Sequence, residues 1–292
     1  MRSFASSMII LVLSLVGGCG GGGGGSSAPA TQPQTSAPPT QAADTSAPPE
    51  SLPLAETAPP AAQTEVRVLA LYTPAVAERY TDPLLRAEHL FNVANDVIRD
   101  SAIDLEINLV ALLPVEYPDA GDLATALDDL TYSRHPALAE VADLRNEYEA
   151  DLVTMLHPYS NDGRCGIAWI TGFDSNGDFS GAAEFGYSVV AASCSDYTLI
   201  HELGHNLGLA HSRREDPQGG SLPHGVGYGV EDAFVTIMAS PNLFSAPRLP
   251  RLSNPLQQCQ GMPCGISAAD SVQGADAASA INRAKDQVAA FR

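Results

Sequence analysis

The sequence predicts an α+β domain: a mostly parallel, twisted sheet with a histidine-bearing helix packed beneath it, then a small irregular C-terminal subdomain ending in a helix. Three observations predict it. Between residues 65 and 209, short apolar runs alternate with amphipathic stretches, the order that gives parallel strands joined by helices. A segment with histidines one helical turn apart closes that alternation. Residues 212–275 then turn rich in Gly, Pro and Ser, before one last amphipathic run.

Glu65–Tyr72 is apolar and partly β-branched, a buried strand by pattern. From Pro83 to about Ser101, Leu84, Ala87, Leu90, Phe91, Ala94, Val97 and Ile98 form one helical stripe. Leu105–Leu113 reads as the second strand, and Pro136–Ala150 as a helix with proline in its first turn. Asp151–Leu156, Gly166–Thr171 and Tyr187–Ala192 read as strands three to five. Asp196 is the expected cap of the histidine helix, which runs to about Leu209, and Asp276–Phe291 is the last helix.

His201, Glu202, His205, Gly208 and His211 carry the chemistry. On a helix, His201 and His205 project from one face, so both imidazoles reach one metal, while Glu202 can touch a water there without ligating. A continued helix would carry His211 away; Gly208 tolerates positive φ, so the chain can leave the helix and bring His211 back as third ligand. Three neutral imidazoles with an open fourth position suit a catalytic Zn2+ rather than a structural one. The alternative is an amphipathic helix with surface histidines.

This extended motif resembles the metzincin clan of zinc endopeptidases. Thr236-Ile237-Met238-Ala239-Ser240, after Gly225, Gly227 and Gly229, is similar to the methionine turn of that clan, with Met238 beneath the zinc. Ser240 stands where some members place a tyrosine ligand, so none is expected. Within the clan the chain resembles bacterial reprolysin-like (adamalysin-related) peptidases over residues 65–292, through Val66–Pro74, Cys165-Gly166-Ile167-Ala168-Trp169 and Ser253-Asn254-Pro255. Ser212 departs from the pattern, where adamalysins typically carry aspartate after the third histidine. The resemblance implies a metzincin-like fold, Glu202 as general base, and Gly166, Ile167, Ala168 and Trp169 as a substrate-binding edge strand.

The ends read as an address and a tether. Residues 1–18, with Arg2 and the apolar run Met8–Val16, form an expected signal peptide too short to span a bilayer. Val16-Gly17-Gly18-Cys19 resembles a lipobox, which makes Cys19 a lipidation site; the alternative is a plain signal with an incidental cysteine. Gly20 is no inner-membrane retention signal, so a bacterial cell envelope location is expected, at the outer membrane in preference, or secretion. Residues 19–64 carry that anchor and a disordered Gly/Pro/Ala/Ser/Thr tether that reaches about 40 Å as a coil and about 140 Å as extended polyproline.

Residues 65–292 are long enough for one domain with its own core. The formal net charge is −19 and Lys285 is the only lysine, which argues against nucleic acid as a partner. With the lipid anchor the only membrane contact, the expected partner is a protein or peptide substrate. Five cysteines minus Cys19 leave four, an even number suited to an oxidising compartment. Three pairings are open; proximity and the resemblance favour Cys259–Cys264 with Cys165–Cys194. A cysteine metal site is the alternative, at spacings that match no zinc ribbon.

Asp174, Asn176 and Asp178 offer calcium-ligand chemistry, but Phe179 and Phe185 occupy the positions that need glycine and a bidentate glutamate, so a polar surface loop is expected. His89 reads as exposed, His135 and His157 as loop residues, and His224 as structural rather than a cleft residue. The expected function is a zinc-dependent metalloendopeptidase; the alternative is a catalytically silent surface binding protein of the same fold. With no free cysteine after Cys19 and no pro-domain in the tether, control by export or a separate inhibitor is expected. The chain after the methionine turn carries Arg248 and Arg251, and either pointing into the substrate pocket would favour an acidic residue after the cut. Solvated or carboxylate-paired arginines are the competing expectation.

Overall fold

The computed structural model describes residues 63–292; the expected signal peptide, the expected lipidation site Cys19 and the expected tether up to residue 62 lie outside the described residues. In chain order the elements are β1 (Thr64–Tyr72), α1 (Pro74–Arg79), α2 (Pro83–Asp100), β2 (Leu105–Pro114), α3 (Leu123–Tyr132), α4 (Val141–Glu147), β3 (Leu152–His157), β4 (Gly166–Ala168), β5 (Tyr187–Ala191) and α5 (Thr198–Asn206). Short hairpins follow, β6 (Gly229–Val230) with β7 (Phe234–Val235), then α6 (Pro241–Phe244), β8 (Asn254–Cys259) with β9 (Met262–Cys264), and last α7 (Ala277–Val288).

The sheet runs β2-β1-β3-β5-β4, parallel except for β4, which is antiparallel to β5 with Ile167 opposite Val189. Alternation along β1 sends Val66, Val68 and Ala70 into the core formed with α2, α5 and α7, and Leu69 and Leu71 into the core formed with α3 and α4. Helices therefore cover both faces, as a sheet with parallel strands requires. Residues 212–275 are the expected irregular region, and α7 returns from it to the main core through Ile281, Ala284 and Val288.

Several expectations are corrected. The helix expected over Pro136–Ala150 is a 3-10 turn at Pro136–Leu138 plus α4, because Glu149 adopts φ +49° and Ala150 N–H closes back on the Arg145 carbonyl at 2.9 Å. Unassigned in the sequence reading, α3 carries a signal: Asp122 accepts from Thr125 N–H as cap, ahead of buried Leu123, Ala126, Leu127 and Leu130. Leu84 is 47% exposed rather than on the buried stripe. His157 is buried at the end of β3 instead of lying in a loop. Asp196 does not cap α5; its carboxylate pairs with Arg86 at 2.6 Å and His89 at 3.1 Å.

The fourth strand stops at Ala168 rather than Thr171. The Trp169 carbonyl accepts from Asn206 Nδ2 at 3.1 Å and Thr171 N–H donates to the His205 carbonyl at 3.2 Å, so helix α5 takes the groups that a longer strand would need. Both disulfides form as expected, Cys165–Cys194 bracketing β4 and β5, and Cys259–Cys264 closing the β8–β9 hairpin.

Candidate active site

Every residue of α5 is buried, so its polar groups need internal partners or a ligand. The helix ends in a Schellman turn: Gly208 has φ +84°, its N–H donates to the His205 carbonyl at 2.9 Å, and Leu209 N–H donates to the Gly204 carbonyl at 2.9 Å. Any Cβ at Gly208 would lie 2.4 Å from Ser221 Oγ and 2.7 Å from the Phe179 ring. Beyond the turn, Ala210 N–H donates to the Gly225 carbonyl at 2.9 Å, which returns His211 toward the helix.

His201, His205 and His211 converge, with one ligand atom from each within 4.8 Å of the others. His201 Nε2 lies 3.3 Å from His211 Nε2. Each Nδ1 is engaged: His201 with the Ile237 carbonyl at 3.0 Å, His205 with the Leu209 carbonyl at 2.9 Å, and His211 with the Asp216 carboxylate at 3.0 Å. An Nδ1–H that donates outward fixes the tautomer whose Nε2 lone pair faces inward, the arrangement of metal-ligating histidines. Burial lowers the pKa of His201 well below the usual histidine value and that of His205 to about 3, so both imidazoles are neutral and able to ligate.

Glu202 lies beside them with both carboxylate oxygens buried and without a hydrogen-bond partner, as is His205 Nε2. Burial pushes the Glu202 carboxyl well above the ordinary carboxylate range, against the pull of Arg248. The unpartnered Glu202 carboxylate and His205 Nε2, beside the converging rings of His201 and His211, fit a bound zinc with a water next to it. Gly166 stands at the start of β4, where a Cβ would fall 2.4 Å from Glu202 Oε1, so only glycine lets the carboxylate pass beneath the edge strand.

Met238 is fully buried under α5, with its sulfur 2.8 Å from where a Cβ on Gly204 would lie. The neighbouring Ile237 carbonyl receives His201, so one turn supports the helix and orients a ligand. Gly166, Ile167 and Ala168 form the edge strand; the Trp169 N–H still reaches the Tyr187 carbonyl at 3.5 Å, while its indole donates to Thr131 Oγ1 at 2.8 Å and packs on Phe185. Arg251 is also directed away and donates to the Asp100 carbonyl on α2. Arg248 remains near the site: its Nη2 donates to the Ala239 carbonyl at 3.1 Å, and burial lowers its pKa while Glu215 and Glu202 hold it up.

The sequence reading missed Asp216. The backbone carbonyl of residue 212 accepts from both Glu215 and Asp216 N–H, at 2.8 and 2.9 Å, and that turn, which a carbonyl of any residue could make, folds the second carboxylate back to His211.

Two histidines on a helix and a third returned by the glycine turn, floored by methionine, form the kind of centre that metzincin-type metallopeptidases use to hold zinc. Residues 66–269 match the pattern described as "Metallo-peptidase family M12B Reprolysin-like", and the chain belongs to that family. Among similar proteins, the "Peptidyl-Asp metalloendopeptidase" of Pseudomonas aeruginosa is 32% identical over 80% of this chain and 41% of its own length. Proteins of the same name from Xanthomonas campestris pv. campestris and Stenotrophomonas maltophilia are each 26% identical, over 68% and 78% of this chain. The chain spans 41% to 52% of the length of these relatives. A solved structure titled "Structure of a chaperone-substrate complex" superposes with TM-score 0.60 at 22% identity, covering 79% of this chain and 35% of that one, and shares the fold.

Proposed function

We propose that residues 65–292 act as a zinc-dependent endopeptidase on protein or peptide substrates, at bonds adjoining aspartate as the relatives' name describes for them. The observation that carries this reading is the convergence of His201, His205 and His211 beside the buried, unpartnered carboxylate of Glu202. Zinc, when bound by the three imidazoles, supplies Lewis acidity that polarises the scissile carbonyl and brings the pKa of water to about 7. Glu202 takes a proton from the attacking water and hands it to the leaving amine. Strand β4, at the sheet edge directly over Glu202, offers main-chain groups to an extended peptide.

Lipid attachment at Cys19 would hold this domain at the cell envelope, and a separate inhibitor would account for latency. Digesting a proteome-derived peptide library with the zinc-loaded full chain tests the reading. Chelator-sensitive cleavage next to aspartate is expected; no chelator-sensitive cleavage at all would overturn it.

A further inference from the structure

Arg145, which is buried, and Arg248, which is half-buried, have opposite fates. Arg145 spends its side chain on carbonyls: Nε donates to Ala150 at 3.2 Å, Nη1 to Ala183 at 2.8 Å and Nη2 to Asp151. That arginine is a strut. Arg248 donates from Nη2 to the Ala239 carbonyl at 3.1 Å, and its Nε is buried with no partner. Among the described residues no carboxylate forms an ion pair with it. A buried Nε–H without a partner, on a half-buried side chain that can still open toward a ligand, is costly unless an anion comes to meet it.

The position of Arg248 says where that anion comes from. Its one anchor, Ala239, directly follows Met238 under the metal centre, and its charge is felt by Glu202 and by His201. Glu215, the other carboxylate within electrostatic reach, already accepts from Ser212 Oγ at 3.0 Å. Glu202 is needed for proton transfer. We propose that the Arg248 guanidinium is the specificity-determining group of the site, binding the carboxylate of an acidic substrate side chain next to the scissile bond. The proposal rests on the peptidase reading above and names the residue behind its aspartate preference. A planar fork matches a carboxylate in two parallel hydrogen bonds, which a lysine ammonium does not reproduce.

The test compares kcat/KM for two peptides differing only by Asp or Asn after the cut, with wild type, Arg248→Gln and Arg248→Lys as zinc-loaded full chains. The Asp/Asn ratio from a single preparation is independent of its active fraction, so partial misfolding does not blur it. The expected ratio falls about 10- to 100-fold in Arg248→Gln and by less in Arg248→Lys. Wild type that cleaves without preferring Asp overturns the proposal, as does an Asp preference that persists in Arg248→Gln. If Arg248→Gln cleaves neither peptide, an undiminished ratio in Arg248→Lys overturns it, and a reduced one supports it. Wild type that cleaves nothing refutes the peptidase reading itself, which separates the two failures.

Discussion

The Asp216 carboxylate holds His211 twice, accepting from Nδ1 at 3.0 Å and from the backbone N–H at 2.8 Å. The chain has Ser212 next to the third histidine, where adamalysins typically carry aspartate, and the Ser212 turn brings an acid from farther along to the ligand. Burial alone would raise the Asp216 pKa, but the bonds from His211 bring it below the usual range, so the acceptor is ionised at neutral pH. Asp216→Ala should weaken zinc binding by about 10- to 100-fold in chelator competition, the usual effect of removing a partner behind a metal ligand. Wild-type affinity in that variant would mean that His211 is oriented by something else.

Gly208→Ala should disturb the same ligand through the backbone. A left-handed alanine costs about 1–2 kcal/mol, and here its Cβ also meets Ser221 and Phe179. The urea midpoint should fall and zinc affinity with it. A variant as stable as wild type, with the same affinity, would show that the turn is not what returns His211.

Metal-free protein should show a distinctive pH dependence. His201 and His205 are held neutral by burial, so stability is lost as pH drops below their ordinary value of 6.5, where the unfolded histidines gain protons. Glu202 has the opposite sign: its raised pKa costs stability as pH rises above its ordinary 4.5. Two histidines outweigh one glutamate on the acid side, which places the maximum from these groups at about pH 6.5. Urea midpoints measured from pH 5 to 9 after chelation check this, and a steady climb to pH 9 would contradict it.

Much of this was legible in the sequence because it is local. The zinc motif is a helix period plus one glycine, and the five sheet strands are short apolar runs, so His201, His205, Gly208 and β1 could be placed without tertiary information. What escaped depends on contacts distant in sequence or on turn geometry. β4 ends where Asn206 and His205 claim its continuation, and Asp196 serves Arg86 on α2 instead of its own helix. Arg248 and Arg251 are indistinguishable in sequence; one is separated from the site only by the Asp100 carbonyl at the end of α2. Asp216 depends on a backbone turn at residue 212 that no helix or strand period encodes.

Glu202 stands as the proposed proton-transfer group beside the three-histidine zinc site. That role is tested most directly by measuring zinc content and peptide turnover of Glu202→Gln alongside wild type. One zinc per chain is expected in both, with a fall in kcat of about 10²- to 10⁴-fold in the variant, because the ligands remain while the base is gone. Turnover close to wild type at full zinc occupancy would contradict it.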